Sequence, residues 1–199
     1  MVSLSTFSVI FFILVFLILG TFAYAGLSAA PWVPLWKKDV RRMLTLAKVK
    51  PGEMVYDLGA GDGRIIIMAS QEFGAQSVGF EMSILPYCLA YIKILLSGLR
   101  GKTSLQYRNF FDQNFGQADV ICTFLSPKAM EKLKPKFEAE AKPGCRIVSF
   151  AFHVPGWQAR IIDQPNSKTT SVYLYQRWNK KTLVKNTKSL KQKISKIKC

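Results

Sequence analysis

Residues 55–63 read Val-Tyr-Asp-Leu-Gly-Ala-Gly-Asp-Gly. An apolar run at 54–56 has the pattern of a buried strand. It ends in Asp57, after which Gly59, Gly61 and Gly63 alternate with other residues. Residues 64–69 then read as the first turns of a helix. Strand, glycine turn and helix together make a nucleotide cradle. Glycine permits positive φ and lets a ligand approach bare backbone, and a helix start offers free N–H groups.

Spacing bears on which nucleotide. The dinucleotide fingerprint is G-x-G-x-x-G. Here the third glycine comes one residue early, and an acid stands just before the loop. Asp57 repels a pyrophosphate but can pair with an amino group. The ligand this favours is a cationic, phosphate-free nucleoside, and S-adenosylmethionine, with its ammonium and sulfonium, meets that description. A structural glycine turn or a variant nicotinamide-dinucleotide site are the other readings of the same residues. A second acid supports the first reading. Residues 77–81 read as the next strand, closing on Glu81. An acid about twenty residues past the glycines of a βαβ unit can accept both ribose hydroxyls. A lone Glu at a strand end is otherwise an ordinary solvated carboxylate.

Asp57-Leu58-Gly59-Ala60-Gly61-Asp62-Gly63-Arg64 with Glu81 resembles the first two motifs of class I, seven-strand methyltransferases that use S-adenosylmethionine. The flanks add Pro31-Trp32-Val33-Pro34, Ala47 to Gly52, Ala118-Asp119-Val120, Leu125-Ser126-Pro127, Leu133-Lys134-Pro135 and Lys142 to Ser149. Together these resemble the membrane-anchored lysine methyltransferases of the ATP synthase rotor ring and their prokaryotic relatives. The likeness covers residues 31–157. The chain departs from that pattern after Pro34, where Leu35 and Trp36 replace the family's hydroxyl residue.

The resemblance implies a Rossmann-like α/β sheet of seven strands with an antiparallel last strand. It also implies cofactor contacts from Asp57, Gly59, Ala60, Gly61, Gly63 and Glu81. Asn109 is expected at the adenine edge with Phe110 against the ring, and Asp112 is the weaker candidate for the edge. Trp36, Leu125, Ser126 and Pro127 are candidates for the acceptor end. No dedicated catalytic residue is required, because methyl transfer from a sulfonium expels a neutral leaving group, and alignment does most of the work. A lysine acceptor must be neutral to attack. A dry entrance walled by Trp36, Phe124, Leu125, Phe152 and Trp157 would favour that form, although each is equally at home in a core.

Composition bounds the rest. The chain has 199 residues and a formal net charge of +16, enough for one domain with appendages. A single histidine, His153, and four cysteines without Cys-x-x-Cys spacing point away from metal sites and histidine-dependent triads. His153 is expected to pack at a strand end. Residues 1–36 carry no charged side chain. The apolar core at 4–24 matches the length of a transmembrane helix. A cleaved signal peptide is the competing reading, disfavoured by the missing positive start and the long apolar run. Tyr24, Trp32 and Trp36 are expected near a membrane interface. Lys37, Lys38, Arg41 and Arg42 then put the rest of the chain on the cytoplasmic side. Residues 180–198 hold eight lysines, with Leu183, Leu190, Ile194 and Ile197 at helical spacing. Such a tail can lie on anionic lipid, solubilise the chain or bind another polyanion. It has no interleaved aromatics, so nucleic acid is not the expected partner.

The expected organisation is therefore an anchor and linker at 1–30, a methyltransferase domain at 31–178 and a basic tail at 179–199. Within the domain, strands are expected at 54–57, 77–81, 103–107, 118–124, 146–152, 159–163 and 171–177. Helices are expected at 37–47 and 63–73, at 84–96 as a mostly buried helix, and at 127–141 with an interruption at Pro135. The expected activity is methylation of a protein lysine, the protein being possibly a membrane protein. The alternatives are methylation of a membrane-soluble lipid or quinone, and a non-enzymatic scaffold.

Overall fold

The computed structural model describes residues 4–28 and 32–177. The lysine-rich tail and the side chain of Tyr24 lie outside what is described. The elements in chain order are α1 (Leu4–Ser28), α2 (Lys37–Leu46), β1 (Met54–Leu58), α3 (Arg64–Phe73), β2 (Gln76–Phe80), α4 (Ile84–Leu96), β3 (Thr103–Gln106), a 3-10 turn (Phe110–Asp112), β4 (Val120–Thr123), α5 (Pro127–Glu140), β5 (Arg146–Phe150), β6 (Ile161–Asp163) and β7 (Val172–Gln176).

The strands form one sheet in the order β3-β2-β1-β4-β5-β7-β6. Strands β1 to β5 run parallel. β7 is antiparallel to both β5 and β6. β1 sits at the switch point, between β2, which follows it, and β4, which enters from the other side. Open parallel sheets bind ligands beyond the carboxyl ends of the strands at such a point. The seven-strand α/β expectation, with its antiparallel end, is met.

Apolar runs in β1, β4 and β5 bury both faces of the sheet, as parallel strands require. One core gathers Leu58, Ile121 and Ile147 under Met130, Leu133 and Phe137 of α5. The other gathers Val55, Cys122 and Val148 under Val40, Met43 and Leu44 of α2 and Ile65 and Ala69 of α3. In α2 these positions fall at i, i+3 and i+4, one stripe of an amphipathic helix. The thiols of Cys122 and Cys145 are buried. Burial pushes the Cys145 thiol up to about 12 and that of Cys122 well above its ordinary range, so neither supplies a thiolate.

Three expectations change. α5 runs through Pro135 without interruption. Proline removes one N–H from the ladder, but Met130, Leu133 and Phe137 on either side are fully buried, and packing holds the helix together. α4 is not mostly buried. It buries Pro86, Ala90 and Ile94, while Leu85, Leu89, Ile92, Leu95 and Leu96 are exposed.

The third concerns the expected transmembrane helix. Residues 4–28 are helical, but among the described residues no helix is long and apolar enough to cross a membrane. Side chains of α1 are described without a break from 6 to 21. That length reaches about 24 Å, short of the ~30 Å hydrocarbon core.

Candidate active site

The loop from β1 to α3 is built on its glycines. Gly59, Gly61 and Gly63 all have positive φ, at 85°, 55° and 78°. The N–H groups of Gly59 and Ala60 both donate to the Phe80 carbonyl, at 3.0 and 2.9 Å. This pair ties the loop to the end of β2 and brings Glu81 alongside. Glu81 Oε2 accepts the Gly61 N–H at 2.8 Å. Its Oε1 accepts from Ser83 at 2.7 Å and Met82 at 3.0 Å. The carboxyl group is thus buried and fixed in direction by three backbone donors. Gly79 in β2 makes the arrangement possible. A Cβ there would stand 2.7 Å from the Ala60 Cβ and 2.8 Å from the Ile66 Cδ1.

Three acids meet in this loop, and cations pair with one of them. Asp62 accepts two bonds from Arg64, at 2.6 and 2.7 Å. It also pairs with Lys93 of α4 at 2.5 Å. Burial opposes ionisation, but these cations outweigh it and hold the carboxyl at about 2. Asp57 is the reverse case. It is 2 % exposed, and among the described residues no hydrogen bond reaches its carboxylate. Burial, then the charges of Glu81 and Asp62, push it well above the ordinary carboxylate range. A buried acid without a partner calls for a cation. The donor set therefore fits a ligand with an ammonium and a sulfonium, and does not fit a pyrophosphate.

A strap crosses the loop. The Arg64 guanidinium also donates to the Leu35 carbonyl, and Leu35 is buried. The Trp32 indole lies where a Gly61 side chain would be, its Nε1 2.7 Å from the position of such a Cβ. Trp32 therefore covers the glycine loop, which corrects its expected place at a membrane interface.

The other expected residues divide. Leu125 is buried, and its Cδ2 is 3.3 Å from where a Gly59 Cβ would be. It therefore forms part of the rim. Ser126 caps α5, its Oγ accepting the Ala129 N–H at 3.3 Å, and Pro127 opens that helix. Asn109 Oδ1 accepts the Phe111 N–H at 3.1 Å, which closes the 3-10 turn. Phe110 is buried with its ring centroid 4.6 Å from that of Phe111. Asp112 is exposed. Trp36 is 75 % exposed and lines a cleft of about 390 Å³ with Asp39, Arg42 and Thr170, residues outside the 125–127 loop. Phe124 stacks on Phe152 at 6.4 Å and meets the Phe150 edge at 5.0 Å. Trp157 belongs to the core beside Phe137 and Tyr175. His153 packs on the Tyr173 ring at 6.2 Å. Among the described residues no group of acids, histidines and cysteines is arranged to hold a metal.

Sequence reading missed the Asp62–Arg64–Lys93 triad, the Trp32 strap and Gly79. The first had a signal. Lys93 is the one charge in α4, and a lone cation in an apolar helix calls for a buried partner.

Comparison with known proteins agrees with this site. Residues 57–161 match the ANTKMT methyltransferase domain. A protein-lysine N-methyltransferase of Saccharolobus islandicus is 42% identical over 148 residues, covering 73% of this chain and 92% of that one. The adenine nucleotide translocase lysine N-methyltransferase of Mus musculus is 30% identical over 64% of this chain. The same figures hold for the mouse lysine N-methyltransferase that acts on the C-type chain of ATP synthase. The chain spans 56% and 51% of the length of these two. An RNA methyltransferase from Salinibacter ruber, solved with S-adenosyl-L-homocysteine, superposes with a TM-score of 0.71. It shows 30% identity over 74% of this chain and 95% of that one. The chain belongs to the family of the ANTKMT methyltransferase domain and is an S-adenosylmethionine-dependent methyltransferase.

Proposed function

We infer that this enzyme methylates a protein lysine at a membrane, held there by α1. The observation that carries the chemistry is Asp57, a buried carboxylate without a partner beside a bare glycine loop. In this reading Asp57 faces the methionyl ammonium, and Gly59, Ala60, Gly61 and Gly63 lie against the nucleoside with backbone alone. Glu81 accepts the ribose hydroxyls on the lone pairs its three backbone donors leave open. Asn109 uses its oxygen within the turn, so its amide N–H groups are available to the adenine edge, with Phe110 and Phe111 beside the ring.

Bound S-adenosylmethionine supplies a methyl group on a cationic sulfur that leaves as a neutral thioether. The chain's own part is to orient and to exclude water. Leu125 closes the rim over Gly59. Phe124 and Phe152 give an apolar approach in which a lysine amine, ordinarily protonated to about pH 10.4, is held neutral by desolvation. The relatives' names support lysine as the acceptor. The anchor rests on α1 itself, a 25-residue helix without a charge whose Phe7, Phe12 and Phe16 are exposed by 65, 68 and 76%. The cations at 37–42 support a cytoplasmic side for the domain.

Calorimetry of the full chain with S-adenosylhomocysteine tests the cofactor site. Gly61→Arg is expected to abolish binding while the fold persists; undiminished affinity refutes the cradle. Methyl-lysine proteomics in cells with and without the gene tests the acceptor. A lipid or quinone acceptor is the second reading, favoured by the hollow of about 250 Å³ between α1 and the rim residues Met82 and Tyr107. Labelled methyl groups found in extracted lipid, with none in protein, decide for it.

A further inference from the structure

Helix α4 presents an apolar stripe that the core does not use. Leu85, Leu89, Ile92 and Leu96 recur at spacings of three and four, which places them on one face. They are exposed by 45, 37, 51 and 80%, and the exposed thiol of Cys88 lies among them. Exposed apolar residues scattered singly need no explanation, but a contiguous stripe marks an interaction site.

Three independent observations identify what covers it. The stripe continues into α1, since Thr21 Oγ1 accepts the Ile84 N–H at 3.4 Å and Phe16, Leu17 and Gly20 share a hollow with Met82 and Tyr107. The charge around it has one sign. Residues 82–111 hold Lys93, Arg100, Lys102 and Arg108 and no acid. Lys93 is committed to Asp62, while Arg100, Lys102 and Arg108 stand exposed. Finally, tyrosines border the stripe. Tyr87 stacks on Tyr91 at 6.5 Å and meets the Tyr107 edge at 5.3 Å. Amphipathic rings of this kind collect where hydrocarbon meets water.

We propose that α4 lies in the surface of an anionic bilayer, with Leu85, Leu89, Ile92 and Leu96 among the acyl chains and Arg100, Lys102 and Arg108 at the phosphates. At 13 residues α4 is about 20 Å long, too short to cross a bilayer and suited to lying in its interface. This rests on reading α1 as an anchor, and it narrows the substrate. α4 begins three residues after Glu81, so the cofactor rim is held at the headgroups. The acceptor is then a lysine next to a membrane surface, not one far out in solution.

The test uses the full chain with Cys199→Ser, spin-labelled at the native Cys88, in vesicles of phosphatidylcholine and phosphatidylglycerol. A second label at Phe11→Cys, on Cys88→Ser, reports α1 separately. Collisions with oxygen are expected to exceed those with a water-soluble nickel complex at both sites. Leu89→Glu with Ile92→Glu should reverse the ratio at Cys88 and leave Phe11 deep. Nickel-dominated collisions at Cys88 with Phe11 deep overturn the proposal and spare the anchor. Oxygen-dominated collisions at Cys88 with Phe11 in water support the proposal and refute the anchor. Nickel-dominated collisions at both refute both. Dipolar broadening between Cys88 labels assigns the face to a second copy and overturns the proposal.

Discussion

Asp57 carries opposite consequences for stability and for binding. Its folded pKa is raised, chiefly by burial, so the folded chain holds a proton that the unfolded chain releases above about pH 4. Stability contributed by this group is full below the unfolded pKa and falls as pH rises towards the folded one. At neutral pH the carboxylate therefore destabilises the ligand-free enzyme. Asp57→Asn is expected to raise the melting temperature at pH 7 and to weaken S-adenosylhomocysteine by one to two orders of magnitude, roughly the worth of a charged hydrogen bond. Calorimetry and thermal melts read the two signs separately. A variant that loses stability and keeps affinity refutes the assignment. Asp62 runs the other way. Its pKa of about 2 against an ordinary 3.8 is equivalent to roughly 2 kcal/mol. That stability is present above about pH 4 and lost as pH falls towards 2. Asp62→Asn is expected to flatten the acid limb of the melting-temperature profile between those values. An acid limb unchanged by the substitution shows that the triad contributes no stability.

Among the elements, those legible from residues alone had both a periodicity and an end signal. β1 was readable because an apolar run stops at Asp57 and glycines, and α2 because Val40, Met43 and Leu44 repeat at helical spacing. α4 was misjudged for a physical reason. An all-apolar helix has no polar face to mark solvent, so the sequence cannot distinguish residues that meet the core from residues that meet lipid. The Trp32 strap was illegible because it depends on a contact across 29 residues, with no local pattern to announce it. Gly79 looked like an ordinary strand residue. Its role is to let Ala60 and Ile66 approach, and Gly79→Ala is expected to destabilise by about 1–3 kcal/mol through overpacking and to weaken cofactor binding as the loop is pushed off Phe80. Denaturant melts check the first effect. A loss below the detectable range shows that α3 can shift and that the loop is softer than its hydrogen bonds indicate. Pro135 offers a contrary test in α5. Pro135→Ala restores an N–H to the helix, and the melting temperature is expected to rise by a few degrees, the scale of 1 kcal/mol in a domain of this size. No change means that the entropy proline removes from the unfolded chain offsets the recovered bond.

At the scale of the whole molecule the two ends of the function are carried by parts that scarcely share a core. The cofactor loop is built from β1, β2, α3 and α4 and strapped by Trp32 and Leu35, all C-terminal to α1. Neither of the two buried cores includes a residue of α1, whose apolar side chains face outward apart from the contact with α4. Loss of α1 therefore removes little of the free energy that folds the domain, since burial is where that energy arises. It also removes the attachment that keeps the rim at a surface. Deleting residues 1–28 is expected to leave S-adenosylhomocysteine affinity within about twofold, well under the tenfold that 1.4 kcal/mol represents. The same deletion should sharply lower methylation of lysines on membrane-embedded proteins while sparing a soluble lysine peptide. Attachment raises the effective concentration of enzyme near its acceptor, so the loss should be recovered when the truncated chain is retethered through an unrelated helix. Equal loss on both kinds of acceptor places α1 in the active site itself, and no loss on either shows that the acceptor is reached from solution.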